Sequence, residues 1–164
     1  MKSSSRRPQR IALVSDTHNL VRPELLAFVA GSDAIVHAGD ICEQAVLDTL
    51  AAVAPLTVVR GNNDQGAWAE ALPLLATFEV NGVRLAVVHE LRDLPGDLAD
   101  LAAGRVAIVV SGHSHKPALE TRAGVVYVNP GSAGPRRFKL PVSAARLTIE
   151  ANGEFAIEHA NLID

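Results

Sequence analysis

The chain holds one cysteine, Cys42, in 164 residues, so an internal disulfide is excluded and folding must rest on a packed core. That usage fits a reducing, cytoplasmic setting. Neither charge dominates: the formal net charge is −3, which gives no general pull toward nucleic acid or an anionic membrane. No apolar run approaches the length of a spanning helix. The start, Met1 to Arg10, is basic and Ser-rich, yet the apolar stretch behind it, Ile11 to Val14, meets Ser15-Asp16 and is too short for a signal-peptide core. There is no internal repeat, low-complexity linker or shift in composition. What is present is an ordinary globular balance, 48% apolar and 20% charged, long enough for one core. The expectation is a flexible tail over residues 1–9 and a single domain over residues 10–164.

Apolar β-branched runs recur at Ile11–Ser15, Ala34–Ala38, Leu56–Arg60, Leu74–Val80, Val83–His89, Val106–Ser111, Val125–Val128, Ser143–Ile149 and Glu154–Glu158. The early runs are nearly continuous, the pattern of strands covered on both faces. Helical patterns lie between them. Pro23–Ala30 puts Leu25, Phe28 and Val29 on one face, with proline near its first turn and Gly31 as a stop. Glu43–Val53 puts Val46, Leu47, Leu50 and Val53 on one face. Asp97–Ala103 reads as a short helix closed by Gly104, and Gln65–Leu72 as one or two further turns. The first half is thus β-α-β-α-β, a parallel unit. Asn81-Gly82 and Asn152-Gly153 are hairpin signals, so the second half is richer in antiparallel pairing. The reading is an α/β layered fold, with one mixed sheet or two facing sheets.

The chemistry concentrates where strands are predicted to end. Asp16-Thr17-His18 and His113-Ser114-His115 each follow an apolar run. In extended backbone, residues two apart share a face, so each pair is expected to offer two metal-binding side chains on one side. Gly39-Asp40, Gly61-Asn62 and His89 occupy three more exits. Gly39, Gly61 and Gly112 are read as letting backbone pass close to the site. Two aspartates, one asparagine and four histidines suit Mn²⁺, Fe, Zn²⁺, Ni²⁺ or Co²⁺ better than Ca²⁺ or Cu(I). Asp40, on the second strand and between the two pairs in chain order, is the natural bridging carboxylate, and its strand is expected near the centre of the sheet. Two divalent ions, set against two carboxylates and a bridging hydroxide, keep net positive charge and attract an anion such as phosphate. Paired metals about 3.5–4 Å apart acidify a bridging water and clamp the attacking and leaving oxygens of an in-line displacement. Neutral Asn62 suits a position that ligates a metal and donates to a phosphoryl oxygen.

Ser15-Asp16-Thr17-His18, Gly39-Asp40, Arg60-Gly61-Asn62-Asn63-Asp64, His89 and Gly112-His113-Ser114-His115, in that order, resemble the calcineurin-like metallophosphoesterase superfamily. The compact length and the later Asn129-Pro130-Gly131-Ser132 are similar to its small bacterial and archaeal phosphodiesterases. The resemblance runs from about Ile11 to Ser132. It implies a layered sandwich of two mixed β-sheets flanked by helices. It implies one metal on Asp16, His18, Asp40 and His115 and another on Asp40, Asn62, His89 and His113. The expected cofactor is a pair of divalent ions, commonly Mn²⁺, and several members are homo-oligomers. The expected enzyme is a dinuclear hydrolase of a small phosphodiester, acting by a metal-bridging hydroxide, with Asn62 holding phosphoryl oxygens and His113 stabilising developing charge. A phosphomonoesterase and a non-catalytic scaffold of the same fold are the rivals. A nuclease is weaker, because the chain shows no basic groove.

Two positions depart from the family pattern. Phosphomonoesterase members often carry histidine after the motif asparagine, as a proton donor, where this chain has Asn63. Glycine usually follows the His89 position, where this chain has Glu90. Glu90 is expected either to orient an imidazole or to narrow the pocket and repel an anion. Elsewhere, His37 is read as a packed strand histidine and His159 as exposed. Asp64 is read as a helix cap or as an acceptor for a ligand histidine. Arg60 is read as a phosphate contact or a salt-bridge partner, and Arg136 and Arg137 as solvated charge.

Overall fold

The computed structural model describes residues 6–95 and 105–163, and the helix expected at Asp97–Ala103 lies outside them. Two five-stranded mixed sheets face each other. In the first, β1 (Gln9–Val14), β2 (Ala34–His37) and β3 (Leu56–Val58) run parallel. Helices α1 (Pro23–Val29) and α2 (Gln44–Ala51) make the crossovers between them. The short α3 (Ala67–Glu70) then leads toward the second sheet, which opens with the hairpin β4 (Leu75–Val80) and β5 (Val83–Val88). Parallel to β5 run β6 (Ile108–Val110) and β8 (Val125–Asn129), and β7 (Ala118–Arg122) closes that sheet antiparallel to β8. The chain returns to the first sheet as β9 (Ser143–Ile149) and β10 (Phe155–Asn161). The strand orders are β10-β9-β1-β2-β3 and β4-β5-β6-β8-β7.

Alternation explains why the early strands read as continuous apolar runs. Ile11 and Leu13 of β1 face the space between the sheets, where they meet Leu85 and Val87 of β5, Ile108 and Val110 of β6, and Leu147 of β9. Ala12 and Val14 point the other way, into a second core with Leu25 and Val29 of α1 and Val46, Leu47 and Leu50 of α2. A third cluster, Ala86, Val88, Val109 and Val125 with Leu75, Leu94 and Tyr127, lies on the outer face of the second sheet. Both faces of β1 are therefore covered, which removes the polar residues that would mark a solvent side. On the outer face of the first sheet, Arg146 of β9 lies over the Phe28 ring, 4.3 Å from its centroid, and donates to the Phe28 carbonyl at 2.8 Å. This supplies a cation at the C-terminal end of α1, whose last turn has none of its own.

Several boundaries differ from the sequence reading. β1 begins at Gln9, inside the expected tail, and Arg7 reaches Asp33 at 2.9 Å. β3 stops at Val58, two residues short of Arg60. Val53 lies beyond α2 and is exposed. β7 was not anticipated, because all five of its residues are exposed and carry no apolar alternation. β1, not β2, is the central strand of its sheet, so Asp40 does not owe its position to a central strand. His159 is half-buried rather than exposed: its Nε2 lies 2.7 Å from the carbonyl oxygen of Asn129 and so ties β10 of one sheet to β8 of the other.

Leu147 is fully buried between the sheets. Leu147→Ala is expected to remove about 2–5 kcal/mol of stability by lost burial and an incompletely closed cavity. Urea unfolding checks this as a lower midpoint with an unchanged slope.

Candidate metal centre

The residues singled out at strand ends come together at one end of the sandwich. Asp16 and His18 follow β1, Asp40 follows β2, Asn62 follows β3, His89 follows β5, and His113 and His115 follow β6. These five strands lead to the same rim, three from one sheet and two from the other. The donor atoms of Asp16, His18 and His115 lie within 4.8 Å of one another, as do those of Asp16, Asp40 and His89.

The expected reason for this convergence does not hold. Neither Asp16-x-His18 nor His113-x-His115 is extended backbone. All four residues lie past the strand ends at positive φ: 56° and 45° for the first pair, 74° and 64° for the second. Asp40 is also left-handed, at 58°. The donors converge because the loops turn sharply, not because strand side chains alternate. Aspartate and histidine are among the non-glycine residues that tolerate this conformation best, though not freely. The turns are also tight. A Cβ on Gly61 would strike the backbone and carboxylate of Asp40, and one on Gly112 would strike Ser15 and Asp16.

Asp16, Asp40 and His89 are oriented by hydrogen-bond partners. Asp16 Oδ2 accepts from Ser15 Oγ at 2.6 Å and from the His113 amide at 3.1 Å. Its Oδ1 is buried and has no hydrogen-bond partner, and it lies 3.4 Å from His115 Nε2 and 3.8 Å from His18 Nε2. Those two ring nitrogens are 3.2 Å apart. Imidazole nitrogens bound at about 2.0–2.1 Å to one cation sit roughly 3.0–3.4 Å apart at octahedral or tetrahedral angles, so the spacing suits a shared ion. The unpartnered carboxylate oxygen aimed at the same point is the donor a cation would satisfy. The residues present therefore fit a divalent metal.

Asp40 lies between two donor sets. Its Oδ2 is 3.7 Å from His18 Nε2 and 3.3 Å from His89 Nε2. Asn63 holds this carboxylate twice, from its backbone amide at 2.8 Å and its side-chain amide at 3.0 Å. His89 donates Nδ1–H to the Ala38 carbonyl at 2.7 Å, which leaves Nε2 facing Asn62 Oδ1 at 2.8 Å. Asn62 Oδ1 is also 3.2 Å from His113 Nδ1. The half built on Asp16 and His115 is buried, whereas Asn62 and His113 are exposed and give the other half its opening.

Electrostatics follow burial and charge. Burial lifts the Asp16 carboxyl to about 6, with the nearby Asp40 charge adding to it. Burial also opposes ionisation of Asp40, but hydrogen bonds from His89 and Asn63 outweigh it and hold that carboxyl below its ordinary range. His89 resists burial in the opposite sense: Asp40 and Asp16 raise it to about 9. Burial, then Arg137, lowers His115 to about 4, and burial lowers His18. The carboxylates thus draw positive charge, while two imidazoles stay neutral and able to ligate.

Residues the sequence reading assigned otherwise, or passed over, build the frame. Asp64 neither caps a helix nor faces a ligand histidine. Its carboxylate accepts from the backbone amides of Asp40, Ile41, Cys42 and Gly61, at 2.8 to 3.0 Å. Asn129 Nδ2 donates to the Gly112 carbonyl at 2.9 Å and to Ser114 Oγ at 3.1 Å. Ser132 Oγ donates to the Asp16 carbonyl at 3.0 Å. The Asn129-to-Ser132 motif therefore holds the two histidine-bearing loops. Arg137 lies near enough to depress His18 and His115. Arg60 has no ion-pair partner among the described residues and lines a cleft beside Asn62 and His89. Sequence offered little sign of these roles, since an aspartate or asparagine in a loop reads as a turn residue.

Among the described residues, no helix is long and apolar enough to cross a membrane. The family model for the calcineurin-like phosphoesterase superfamily domain matches residues 10–152. A probable metallophosphoesterase of Methanocaldococcus jannaschii is 32% identical over 150 residues, which is 85% of this chain and 76% of that protein. A conserved protein of Streptococcus pneumoniae, described as a predicted phosphoesterase, has a similar structure (TM-score 0.71, 24% identity, 94% of this chain and 90% of that one). Zinc-complexed Vps29 of Entamoeba histolytica also shares the fold (TM-score 0.66, 21% identity, 94% and 99% covered). The chain belongs to the calcineurin-like phosphoesterase superfamily, and its two mixed sheets are the fold of that family.

His37 is fully buried, and burial pushes it down to about 3 from 6.5. It accepts the Gly39 amide at Nδ1, 3.1 Å, so its proton sits on Nε2, 3.0 Å from Thr17 Oγ1. Between 6.5 and about 3 the unfolded chain binds a proton that the folded chain refuses, so stability falls as pH falls through that window. His37→Ala is expected to lower the melting temperature at pH 7 while leaving turnover largely intact. It should also make the acid limb shallower, by up to about 1.4 kcal/mol per pH unit. Thermal melts of metal-stripped parent and variant from pH 7 to 4, with one turnover assay, check both.

Proposed function

We propose that this chain is a metal-dependent phosphodiesterase whose centre takes two divalent cations. The observation that carries the reading is Asp40, whose one carboxylate oxygen lies between His18 and His89. One cation would be held by Asp16 Oδ1, His18, Asp40 and His115, and the other by Asp40, Asn62, His89 and His113. Mn²⁺ is the proposed ion, with Zn²⁺, Ni²⁺, Fe or Co²⁺ compatible with the same oxygen and imidazole donors. Bound there, the cations would acidify a water and neutralise charge on the phosphoryl group.

The chain's own residues do the positioning. Asn62 turns its amide oxygen toward the two histidines, which leaves its NH₂ to donate to a phosphoryl oxygen. His113 stands at the open side of the centre and supports developing charge. Asn63, where a monoesterase relative would carry a proton donor, is committed to Asp40 through both of its amides. No side chain at that position delivers a proton, which favours leaving groups that need none. A small diester in a reducing, cytoplasmic setting is the proposed context. The hairpin strands β4 and β10 lie at sheet edges, where strands of another copy can pair, so a homo-oligomer belongs to the same proposal.

The resemblance to Vps29 structures keeps a non-catalytic scaffold as the second reading, but below 25% identity that likeness speaks to fold alone. All seven donor residues of the motif set stand in this chain, which favours catalysis.

Initial rates on an aryl phosphodiester and the matching monoester, with Mn²⁺ added to stripped protein, test the reaction. The diester is expected to be faster, and no hydrolysis of either ester supports the scaffold. Asp40→Ala is expected to remove most bound metal and about 10³-fold or more of the activity, the scale of losing a bridging ligand and its charge stabilisation. Elemental analysis checks this, and a retained two-metal stoichiometry refutes the bridging role.

A further inference from the structure

Glu90 stands directly after the ligand-type His89 and beside another. Its Oε1 lies 3.5 Å from His113 Nδ1, the nitrogen that also faces Asn62 Oδ1 at 3.2 Å. Its other oxygen pairs with Arg92 Nε. The glutamate side chain is 11% exposed, whereas Arg92 is 80% exposed, so solvent screens the cation more than the anion. Glu90 is also the wall between two clefts. One, of about 380 Å³, includes Asn62, His89 and Arg60. The other, of about 290 Å³, includes His113, Ser114 and Tyr127. Each cleft opens beside the donors of the more exposed half of the centre.

We infer that Glu90 is a specificity-determining residue that makes this centre select monoanionic phosphodiesters over dianionic phosphomonoesters. The inference rests on the phosphodiesterase reading and deepens it. Two physical effects act together. A carboxylate fixed next to His113 takes positive charge off the second cation position, and a dianion loses about twice as much attraction from that change as a monoanion. The two clefts flanking Glu90 can each receive one ester arm, whereas a monoester has only one arm to place. Arg92 tempers the glutamate's charge without cancelling it.

The test uses the full chain and two variants, Glu90→Gln and Arg92→Gln, with kcat/KM for an aryl phosphodiester and its monoester under Mn²⁺. Calorimetric Mn²⁺ titration of stripped protein runs in parallel. Glu90→Gln is expected to move the diester-to-monoester ratio about tenfold toward the monoester and to weaken Mn²⁺ binding. Arg92→Gln, at an exposed side chain, should move the ratio the other way by about two- to threefold. A Glu90→Gln ratio within about twofold of the parent, or both variants shifting in one direction, overturns the inference. If the parent hydrolyses neither ester, the phosphodiesterase reading has failed. The inference is overturned with it, and a changed Mn²⁺ affinity in Glu90→Gln then marks Glu90 as a metal-site residue without a part in substrate choice.

Discussion

Four backbone amides, those of Asp40, Ile41, Cys42 and Gly61, converge on the carboxylate of Asp64. Three of them lie in the loop after β2 and one lies in the loop after β3. A single buried anion thereby joins two turns that would otherwise leave unpaired donors. It also fixes where Asp40 begins its turn. That turn and the loops after β1 and β6 carry the strain of the site: Asp16, His18, Asp40, His113 and His115 all sit in the left-handed region. Such residues cost about 1–3 kcal/mol each where nothing relieves them, so they need neighbours that over-determine the backbone. Asp64 supplies that constraint on one side, and Asn129 and Ser132 supply it on the other.

Much of this was legible in the sequence, and for identifiable reasons. Donors at five strand exits could be read because long β-branched runs end where Asp, Asn and His begin. The hairpins at Asn81-Gly82 and Asn152-Gly153 could be read because only a few residues accept their turn. β7 could not, since an exposed edge strand has no apolar period. The convergence of Asp16 with His18, and of His113 with His115, was anticipated from strand alternation, yet the backbone achieves it by left-handed turns that motif spacing does not encode. Asp64 and Asn63 lie beside a motif asparagine, and their residue types alone do not say which backbone they hold. His159 looked solvent-facing because its partner, the Asn129 carbonyl, belongs to a strand of the opposite sheet.

The electrostatic pattern has the same layered origin. Burial is the leading influence on Asp16, His18, His89 and His115 alike. The outcome differs because the neighbours differ. His89 sits against two carboxylates and is drawn toward its charged form, while His115 sits toward Arg137 and His18 and is driven to its neutral one. A family whose members bind divalent ions thus finds, in this chain, a buried half shaped for imidazole and carboxylate and an open half shaped by amide, imidazole and the Glu90 wall.

The donors come from both sheets, β1, β2 and β3 on one side and β5 and β6 on the other. A cation seated among them would act as a clasp across the mouth of the sandwich. Whatever loosens the seam between the layers, even far from that mouth, must then also weaken the grip on the ion, and filling the cage must reciprocally tighten the seam.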